Sequence, residues 1–264
     1  RSGCPGTGWG WPWREVDSRG AAAEATRMDT NAICGLNAVA ATFARRADAV
    51  LRLFYLPGQK VAAGPFCAVL ATARKPYRMV EADELAKVAG TPHHGGIVAV
   101  TKPLVPVILD AAAPPKGKLL LVLDGVGNPH NLGAIARSAA FFGVPAMLIG
   151  EGLGHAMPSD AAFRTAEGGL EHIALYRTRD LPRALRALEP HYRTVAASLG
   201  RDAMPLADLP RDRPVALVLG AEEQGVSEPV LAACRRQVRI GGSGRVQSLN
   251  VAQAAAVLLH ALSG

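Results

Sequence analysis

The sequence has few aromatic residues, few cysteines and no long apolar run, and each scarcity excludes a class of protein. Phe, Trp and Tyr make up 5% of the 264 residues, so the core depends on Ala, Val and Leu. The four cysteines show neither metal-ligand nor redox spacing, which is typical of incidental thiols in a cytoplasmic protein. No apolar run approaches the roughly 20 residues that span a bilayer, and residues 1–30 lack the apolar core of a signal peptide. We therefore expect neither a membrane nor a metal partner.

Positive charge is in excess. The chain contains 29 Lys and Arg against 22 Asp and Glu, which gives a formal net charge of +7 at pH 7. Most of the excess lies in the N-terminal half, and a balance of this size favours a polyanionic partner. With 49% hydrophobic and 19% charged residues, the composition is that of a folded protein and excludes an intrinsically disordered one.

Composition divides the first half of the chain into three parts. Residues 1–30 have no apolar periodicity and are predicted to form an extended tail, whose tryptophans either stack on bases or pack on the parent domain. Residues 31–102 show the helix and strand patterns of a small α/β unit, beginning with a helix over 31–47. Residues 103–117 carry four prolines and are expected to form a semi-rigid linker.

Residues 118–264 alternate apolar runs with helix-like segments. Strands that alternate with helices along a chain predict a parallel sheet covered by helices on both faces, so the fold class is α/β. In such sheets ligands bind beyond the carboxyl ends of the strands, which makes the loops at those ends the place to look for chemistry.

The first of three such loops leads from Asp124 into a predicted helix. Asn131 is placed to cap that helix. Gly133 and Arg137 are four residues apart and share a helix face, so a ligand could approach the backbone below the Arg137 guanidinium. A phosphate or a carboxylate suits this arrangement, and a capped helix with a surface arginine is the alternative.

The second loop follows a buried apolar strand. That strand ends at Gly220, where a flat ligand could come close to the backbone. Glu222 and Glu223 follow at once and could accept hydrogen bonds from a cationic or amine-bearing group. A strand-to-helix turn with solvated acids is the alternative.

The third loop is rich in glycine and covers residues 240–250. Its glycines offer backbone amides without side-chain obstruction. Asn250 and Gln253 match a helix capping box, which explains both residues structurally. Under that interpretation Ser248 is free for another task.

Several common catalytic motifs are absent from the sequence. No strand is followed by G-x-G-x-x-G, which disfavours a standard dinucleotide or Rossmann methyltransferase site. The P-loop pattern G-x-x-x-x-G-K-[ST] and the nucleophile elbow G-x-S-x-G are also missing. His93-His94 lacks the spacing of zinc ligands, so no metal site is predicted.

Taken together, the three loops resemble the signature of the SpoU (TrmH-type) RNA ribose methyltransferases of the SPOUT superfamily. Each motif is weak alone, whereas the ordered set is specific. The resemblance covers about 118–264 and extends into 31–102, which is similar to the small RNA substrate-binding domain of many members. The segments that carry it are Asn131-x-Gly133-x-x-x-Arg137, Gly220-x-Glu222-x-x-Gly225, Ser248-Leu249-Asn250-Val251, Cys34-Gly35-Leu36-Asn37-Ala38-Val39 and His93-His94-Gly95-Gly96.

The resemblance implies a fold, a cofactor, a partner and a reaction. The C-terminal part of the sheet would form a deep trefoil knot that binds S-adenosyl-L-methionine, and the protein would be a homodimer through the knotted domain. The reaction would be methylation of a ribose 2′-hydroxyl in structured RNA, with ribosomal RNA favoured over transfer RNA. The residues implied for catalysis are Arg137, Asn131, Glu222, Ser248 and Asn250, and those implied for the cofactor are Gly220, Ala221, Ile240, Leu249, Leu219 and Gly225.

Arg137 is the residue on which such enzymes rely. A guanidinium has a pKa above about 12 and is a poor base. Our hypothesis is that Arg137 grips the adjacent RNA phosphate and stabilises the developing alkoxide, with deprotonation by a neutral arginine or by the phosphate as alternatives. Basic residues of the small unit are expected either to contact RNA or to form a solvated face: Arg45, Arg46, Arg74, Lys75 and Arg78.

The third loop departs from the family pattern. Members commonly have Ile-Pro-Met where this chain has Ile240-Gly241-Gly242, and an acid at the position of Gln247. Losing the proline loosens the loop expected to embrace the cofactor, at an entropic cost of about 1 kcal/mol. A non-catalytic or weakly active RNA-binding paralogue is therefore the alternative function.

Overall fold

The computed structural model describes residues 30–263 and arranges them around two separate sheets. The tail predicted over 1–30 lies outside the described residues, apart from Thr30 at its end. Within the described part of the chain, no helix is long and apolar enough to cross a membrane.

The smaller unit is a four-stranded sheet with three helices. Strands β2 and β3 are parallel, and the other two neighbouring pairs are antiparallel, in the order β1-β4-β2-β3. The strands are β1 (Asn31–Cys34), β2 (Val50–Tyr55), β3 (Tyr77–Met79) and β4 (Ile97–Thr101), and the helices are α1 (Leu36–Arg46), α2 (Lys60–Thr72) and α3 (Ala82–Ala89). Its core includes the fully buried Ile33, Val39, Leu53 and Ile97.

The helix predicted over 31–47 is wrong in its first third. Asn31–Cys34 form strand β1, and α1 begins only at Leu36. Gly35 separates the two with a φ of 90°, a left-handed value that glycine adopts without strain. A short buried strand and a helix segment have the same apolar content, so periodicity alone did not distinguish them.

The larger unit is an eight-stranded sheet in which all neighbouring strands are parallel. The order is β10-β12-β9-β11-β6-β7-β8-β5. Its strands are β5 (Val107–Ile108), β6 (Leu119–Asp124), β7 (Ala146–Gly150), β8 (Ala174–Thr178), β9 (Arg193–Ala197), β10 (Met204–Pro205), β11 (Val215–Gly220) and β12 (Arg236–Arg239). Its helices are α4 (Pro129–Phe141), α5 (Asp160–Ala166), α6 (Leu181–Leu188), α7 (Glu228–Ala233) and α8 (Val251–Ser263).

Both faces of the large sheet are covered, which confirms the predicted α/β class. On β6, Leu119, Leu121 and Leu123 pack into a core that contains residues of α4, α5 and α8. Leu120 and Val122 point to the other face and pack with residues of α6 and α7. Burial on both sides explains why β6 is a continuous apolar run and not an alternating one.

The proline-rich stretch 103–117, expected to be a linker, also supplies the outermost strand of the large sheet. Val107 and Ile108 form β5 and lie opposite Tyr176 and Arg177 of β8. An edge strand needs hydrogen-bond partners on one side only, so a segment interrupted by prolines can provide it.

A buried ion pair joins the two units. Arg46 at the end of α1 reaches Glu171, with Nε 2.6 Å from Oε2 and Nη2 2.8 Å from Oε1. The Glu171 side chain is 1% exposed and also accepts a hydrogen bond from the Thr42 hydroxyl at 3.0 Å. The Arg46 guanidinium lies over the Phe163 ring as well. Arg46 is therefore engaged inside the protein and does not belong to a solvated basic face.

Candidate active site

Two central strands bring the first and second loops to one edge of the large sheet. β6 and β11 are parallel neighbours, and Gly220 at the end of β11 is in register with Asp124 at the end of β6. The chain segments that follow both strands therefore start side by side at the carboxyl edge, where ligands of parallel sheets bind.

Asn131, Glu222 and Asn250 come from three different segments and contact one another. The Asn131 amide nitrogen donates to Glu222 Oε1. The Asn250 amide nitrogen lies 2.9 Å from the same oxygen and 3.3 Å from Asn131 Oδ1. We call these three residues the amide–carboxylate cluster. It faces solvent, and two amides fix the orientation of its carboxylate.

The helix cap at the start of α4 is not the residue that the sequence indicated. Asn128 is the cap, and its side chain accepts a hydrogen bond from the His130 amide at 2.8 Å. Pro129 occupies the first helical turn, where its missing N–H is not needed. Asn131 therefore lies inside the first turn, and its side chain is available to the amide–carboxylate cluster.

Asn250 has two structural roles at once. Its side-chain oxygen accepts a hydrogen bond from the Ala252 amide at 2.9 Å, which caps α8 as predicted. Its side-chain nitrogen points to the cluster. Ser248, two residues earlier, is exposed and makes no side-chain hydrogen bond within residues 30–263.

Within the described part of the chain, Arg137 makes no hydrogen bond or ion pair with the cluster. It follows Asn131 by six residues on α4, which places the two about 120° apart around the helix axis. Its Nη1 is 2.9 Å from Glu167 Oε1, and both side chains are about half exposed. Glu167 ends α5 with a left-handed φ of 44°, which is uncommon outside glycine. No sequence pattern indicates this ion pair, because the partner lies in a separate element.

Two glycines expected to admit a ligand instead admit the chain's own backbone. A Cβ at Gly133 would lie 2.4 Å from the Ala162 carbonyl oxygen, so this glycine lets α5 approach α4. A Cβ at Gly220 would lie 2.0 Å from the carbonyl carbon of Gly225, because the second loop folds back onto the strand end. Ala221 and Gly225 close that turn with a 2.8 Å backbone hydrogen bond. Cofactor contacts by Gly220, Ala221 and Gly225 stay a prediction.

Asp124, at the end of β6, makes a buried contact that the sequence did not indicate. It is buried, and its Oδ2 accepts a hydrogen bond from the Ser227 amide at 2.8 Å. The contact ties the segment after the second loop to β6. A carboxylate at the end of an otherwise apolar, buried strand needs a hydrogen-bond partner, and this pattern could have predicted the contact.

The third loop is open. Residues 241–250 are exposed throughout, and a Cβ at Gly241, Gly242 or Gly244 would meet no atom within 4 Å. The apolar side chains of Val246 and Leu249 are 73% and 44% exposed. Among the other residues predicted to contact the cofactor, Leu219 is buried in the core and Ile240 packs partly buried against it. The loop thus offers free backbone amides beside uncovered apolar side chains.

The basic residues of the small unit have different surroundings. Arg45 and Arg74 are exposed, and Arg45 lies 3.4 Å from His172 Nδ1. Lys75 donates to the Asp48 carbonyl at 2.7 Å, and Arg78 pairs with Glu84. For the exposed arginines, contact with RNA and a solvated face both stay predictions.

The site contains neither a reactive thiol nor a metal centre among the described residues. Burial raises the pKa of the Cys34 thiol to about 11 and that of Cys234 to about 12, so both stay protonated at neutral pH. Within residues 30–263, no group of three His, Cys, Asp or Glu side chains could hold a metal ion.

Comparison with known proteins identifies both units. Residues 118–260 match the model of the SpoU rRNA Methylase family, and residues 32–107 match the model named RNA 2'-O ribose methyltransferase substrate binding. The chain is 33% identical over 241 residues to the 23S rRNA (guanosine-2'-O-)-methyltransferase RlmB of Acinetobacter baylyi, covering 86% of this chain and 94% of that protein. It is 31% identical over 235 residues to the uncharacterized tRNA/rRNA methyltransferase YfiF of Escherichia coli O157:H7, covering 88% of this chain and 68% of that protein.

Solved structures agree at the level of the fold. The AdoMet-bound rRNA methyltransferase of Sinorhizobium meliloti superposes with a TM-score of 0.74 at 22% identity, covering 92% of this chain and 89% of that one. The family model covers more than half of the chain, and the Acinetobacter relative is matched over nearly its whole length. The chain belongs to the SpoU rRNA methylase family.

Proposed function

We propose that the protein transfers a methyl group from S-adenosyl-L-methionine to a ribose 2′-hydroxyl of RNA, with ribosomal RNA as its substrate. The amide–carboxylate cluster carries this proposal, because it unites residues of all three motif segments at the carboxyl edge of a parallel sheet. The activity for which the Acinetobacter relative is named and the cofactor bound by the Sinorhizobium neighbour support it.

The third loop fits an adenosyl group. Adenine is flat and apolar on its faces and polar at its edge, so it suits exposed apolar side chains next to free backbone amides. Val246 and Leu249 are such side chains, and Gly241 and Gly242 leave the neighbouring amides unobstructed. S-adenosylmethionine, when bound, supplies a methyl group on a positively charged sulfur.

Glu222 and Arg137 would orient the reactants and stabilise the negative charge that develops on the ribose 2′-oxygen. Two amide donors on Oε1 hold Glu222 in one orientation, which leaves Oε2 to hold a hydrogen-bond donor of the bound reactants. Arg137 carries a charge on a half-exposed side chain whose partner is a single carboxylate. A phosphate oxygen of RNA can replace that carboxylate, and the guanidinium then stabilises negative charge that develops on the neighbouring 2′-oxygen.

The same proposal includes the knot and the homodimer that the family resemblance implies. Phe141 on α4 is 83% exposed and Val257 on α8 is 43% exposed. Phe142 and His260 bring these two helices into contact, so the apolar side chains lie on adjoining elements. Exposed apolar side chains on adjoining helices are suited to contact with a second copy of the chain.

Calorimetric titration with S-adenosylmethionine and S-adenosylhomocysteine, followed by a radioactive methyl-transfer assay on ribosomal RNA, tests the function. We expect binding of both compounds and transfer to RNA. The variant Arg137→Ala is expected to bind the cofactor normally and to lose turnover by about 10²-fold or more, whereas Arg186→Ala on α6 is the matched exposed control.

Three results would argue against the proposal. Failure of a folded protein to bind either compound would overturn it. Cofactor and RNA binding without methyl transfer would favour the non-catalytic RNA-binding alternative. Near-normal turnover by Arg137→Ala would remove Arg137 from the mechanism.

A further inference from the structure

The chain segment that follows β7 lies against the first loop, at the same edge of the large sheet as the amide–carboxylate cluster. β7 is a parallel neighbour of β6, and Ile149 lies opposite Leu123. Residues 151–157 therefore leave the sheet beside the residues that follow Asp124. We call residues 151–157 the post-β7 segment. It contains none of the three motifs, so it is a neighbour of the candidate site that the motifs do not include.

Two backbone contacts join the post-β7 segment to the first loop. The Ala156 amide donates a hydrogen bond to the Val126 carbonyl at 2.8 Å. A Cβ at Gly127 would lie 3.1 Å from the Gly154 carbonyl oxygen, so the two backbones pass in close contact. Neither contact uses the side chain of residue 155. Both should therefore persist when that side chain is changed.

His155 adds a contact through its side chain. Its Nδ1 lies 3.3 Å from the Gly125 amide nitrogen and accepts a hydrogen bond from it. Gly125 has a φ of 71° and forms the turn by which the chain leaves β6. A ring nitrogen that accepts a hydrogen bond carries no proton, so the neutral imidazole has its proton on Nε2. The imidazole thus holds the turn at which the first loop begins.

Gly150 makes room for the His155 ring. A Cβ at Gly150 would lie 2.7 Å from His155 Nδ1, and the three atoms nearest to that Cβ all belong to the imidazole. The φ of Gly150 is not left-handed, so its backbone suits an alanine as well. A methyl group at residue 150 would therefore act mainly by displacing the ring.

The Gly125 turn also contacts the second loop. A Cβ at Gly125 would lie 3.5 Å from the Ala221 Cβ, so the two loops meet at these residues. Ala221 directly precedes Glu222, and the first loop leads into Asn131 of the same cluster. Movement of the Gly125 turn would therefore disturb two members of the amide–carboxylate cluster.

We propose that His155 is a positioning residue for methyl transfer, which holds the Gly125 turn so that Asn131 and Glu222 meet in the geometry that the reaction needs. The inference rests on the proposed function for the identity of the reaction. His155 acts through the first loop and not on the reacting atoms. Small displacements in a site are costly, since about 1 Å can lower a rate by about 10²-fold.

Steady-state methyl transfer to ribosomal RNA by the full chain, at saturating S-adenosylmethionine, tests the role of the acceptor atom. His155→Leu keeps an apolar side chain of similar size and removes the acceptor, so kcat should fall about tenfold while the KM for RNA stays within about twofold. His155→Asn restores an acceptor oxygen and should recover kcat to within about threefold of the wild type. A loss in His155→Asn equal to that in His155→Leu would overturn the proposal.

Gly150→Ala perturbs the same contact from the other side and leaves the imidazole in the chain. It should lower kcat about as much as His155→Leu does, because the added methyl group displaces the ring. The double variant should lose no more than either single one, since the ring can be displaced only once. Losses that multiply in the double variant would contradict the proposal, and so would wild-type kcat in both single variants.

His191→Leu is the matched control. His191 is exposed and lies just before β9, at the amino edge of the sheet, so its replacement should leave kcat unchanged. Urea unfolding of the same variants separates positioning from stability. Lower stability with wild-type kcat in both His155→Leu and Gly150→Ala would reduce His155 to a structural residue and overturn the proposal.

Nuclear magnetic resonance gives a readout that does not need turnover. The side-chain amide signals of Asn131 and Asn250 should shift in His155→Leu and Gly150→Ala and stay in place in His191→Leu. The imidazole nitrogen shifts of the wild type should show the proton on Nε2. If the wild type transfers no methyl group, the proposed function fails while the amide signals still decide the positioning role. Unchanged amide signals in both variants would overturn that role.

Discussion

The Asn250 side-chain nitrogen lies 2.9 Å from Glu222 Oε1, while the oxygen of the same amide accepts the Ala252 backbone amide at 2.9 Å. One side chain therefore caps α8 and holds a carboxylate of the candidate site. Because the two contacts use different atoms, substitution can remove one and keep the other.

Asn250→Asp should separate capping from activity. An aspartate retains the oxygen that caps α8, so the free energy of unfolding should change little, whereas Asn250→Ala should lose about 1 kcal/mol. The aspartate also replaces a donor to Glu222 with a second negative charge, so methyl transfer should fall at least tenfold in both variants. Urea unfolding and the methyl-transfer assay measure the two effects. Equal loss of stability in both variants would contradict the capping role.

Gly220→Ala should disturb the second loop, and Gly241→Ala provides its control. An added Cβ at Gly220 would lie 2.0 Å from Gly225 and force the loop to move, at a cost of about 1–3 kcal/mol. At Gly241 the same atom meets nothing within 4 Å. Thermal unfolding should therefore show a loss of stability for the first variant only. A wild-type melting temperature for Gly220→Ala would show that the loop does not pack on the strand end.

Gly241→Pro should tighten cofactor binding. The φ of Gly241 is not left-handed, and its amide donates no backbone hydrogen bond within residues 30–263, so a proline meets no evident obstacle. Proline reduces the freedom of the open loop by about 0.4–1 kcal/mol, which corresponds to about two- to fivefold in affinity. Calorimetry with S-adenosylhomocysteine measures the change. Weaker binding would indicate that the loop needs its freedom to close.

Arg46→Ala should destabilise the protein far more than Arg45→Ala. Removing Arg46 leaves the buried Glu171 carboxylate without its ion pair, which costs about 3 kcal/mol or more. Arg45 is the preceding residue of the helix and is exposed, so its loss should change stability by less than about 0.5 kcal/mol. Urea unfolding gives both values. Similar stability of the two variants, with RNA affinity lost in Arg46→Ala, would restore the RNA-contact interpretation.

Stability should fall above pH 9 because of two buried thiols. The pKa of Cys34 is raised from 9.0 to about 11 and that of Cys234 to about 12, chiefly by burial. Between pH 9 and these values the unfolded chain loses protons that the folded chain retains, so the free energy of unfolding decreases as pH rises. Urea unfolding from pH 8 to 10.5 measures the slope, and replacing both cysteines with alanine should reduce it. An unchanged slope would mean that other groups cause the decline.

The sequence predicted the large sheet well because its strands are buried on both faces. Runs such as 119–123 and 215–219 have no alternation that a helix could imitate, and both are central strands. The first strand of the small unit is not distinguishable by pattern, since the three apolar residues before Gly35 continue smoothly into the helix pattern. Strands β5 and β10 are two residues long and are defined by their pairing with β8 and β12. Two residues are too few to show a strand pattern in the sequence.

The candidate site, like the fold, could be predicted from the sequence only in part. The motif residues Asn131, Glu222 and Asn250 could be predicted to meet, because their loops share one edge of a parallel sheet. Arg137 was expected beside them, and its contact with Glu167 depends on the packing of α4 against α5, which spacing along the chain does not encode. Arg46 was read as a surface charge because burial of its partner is decided by tertiary contacts alone.

Because β6 pairs with β11, which follows much later in the chain, the candidate site can assemble only late during translation. The two central strands are joined by almost a hundred residues of intervening chain, and the amide–carboxylate cluster needs Asn250 as well. A nascent polypeptide emerging from the ribosome can close the small unit early, since β4, the last of its strands, ends at Thr101. It gains the cluster only after α8 has begun to emerge. Translation that stops before residue 250 would therefore release a chain with most of its sheet and none of the assembled cluster.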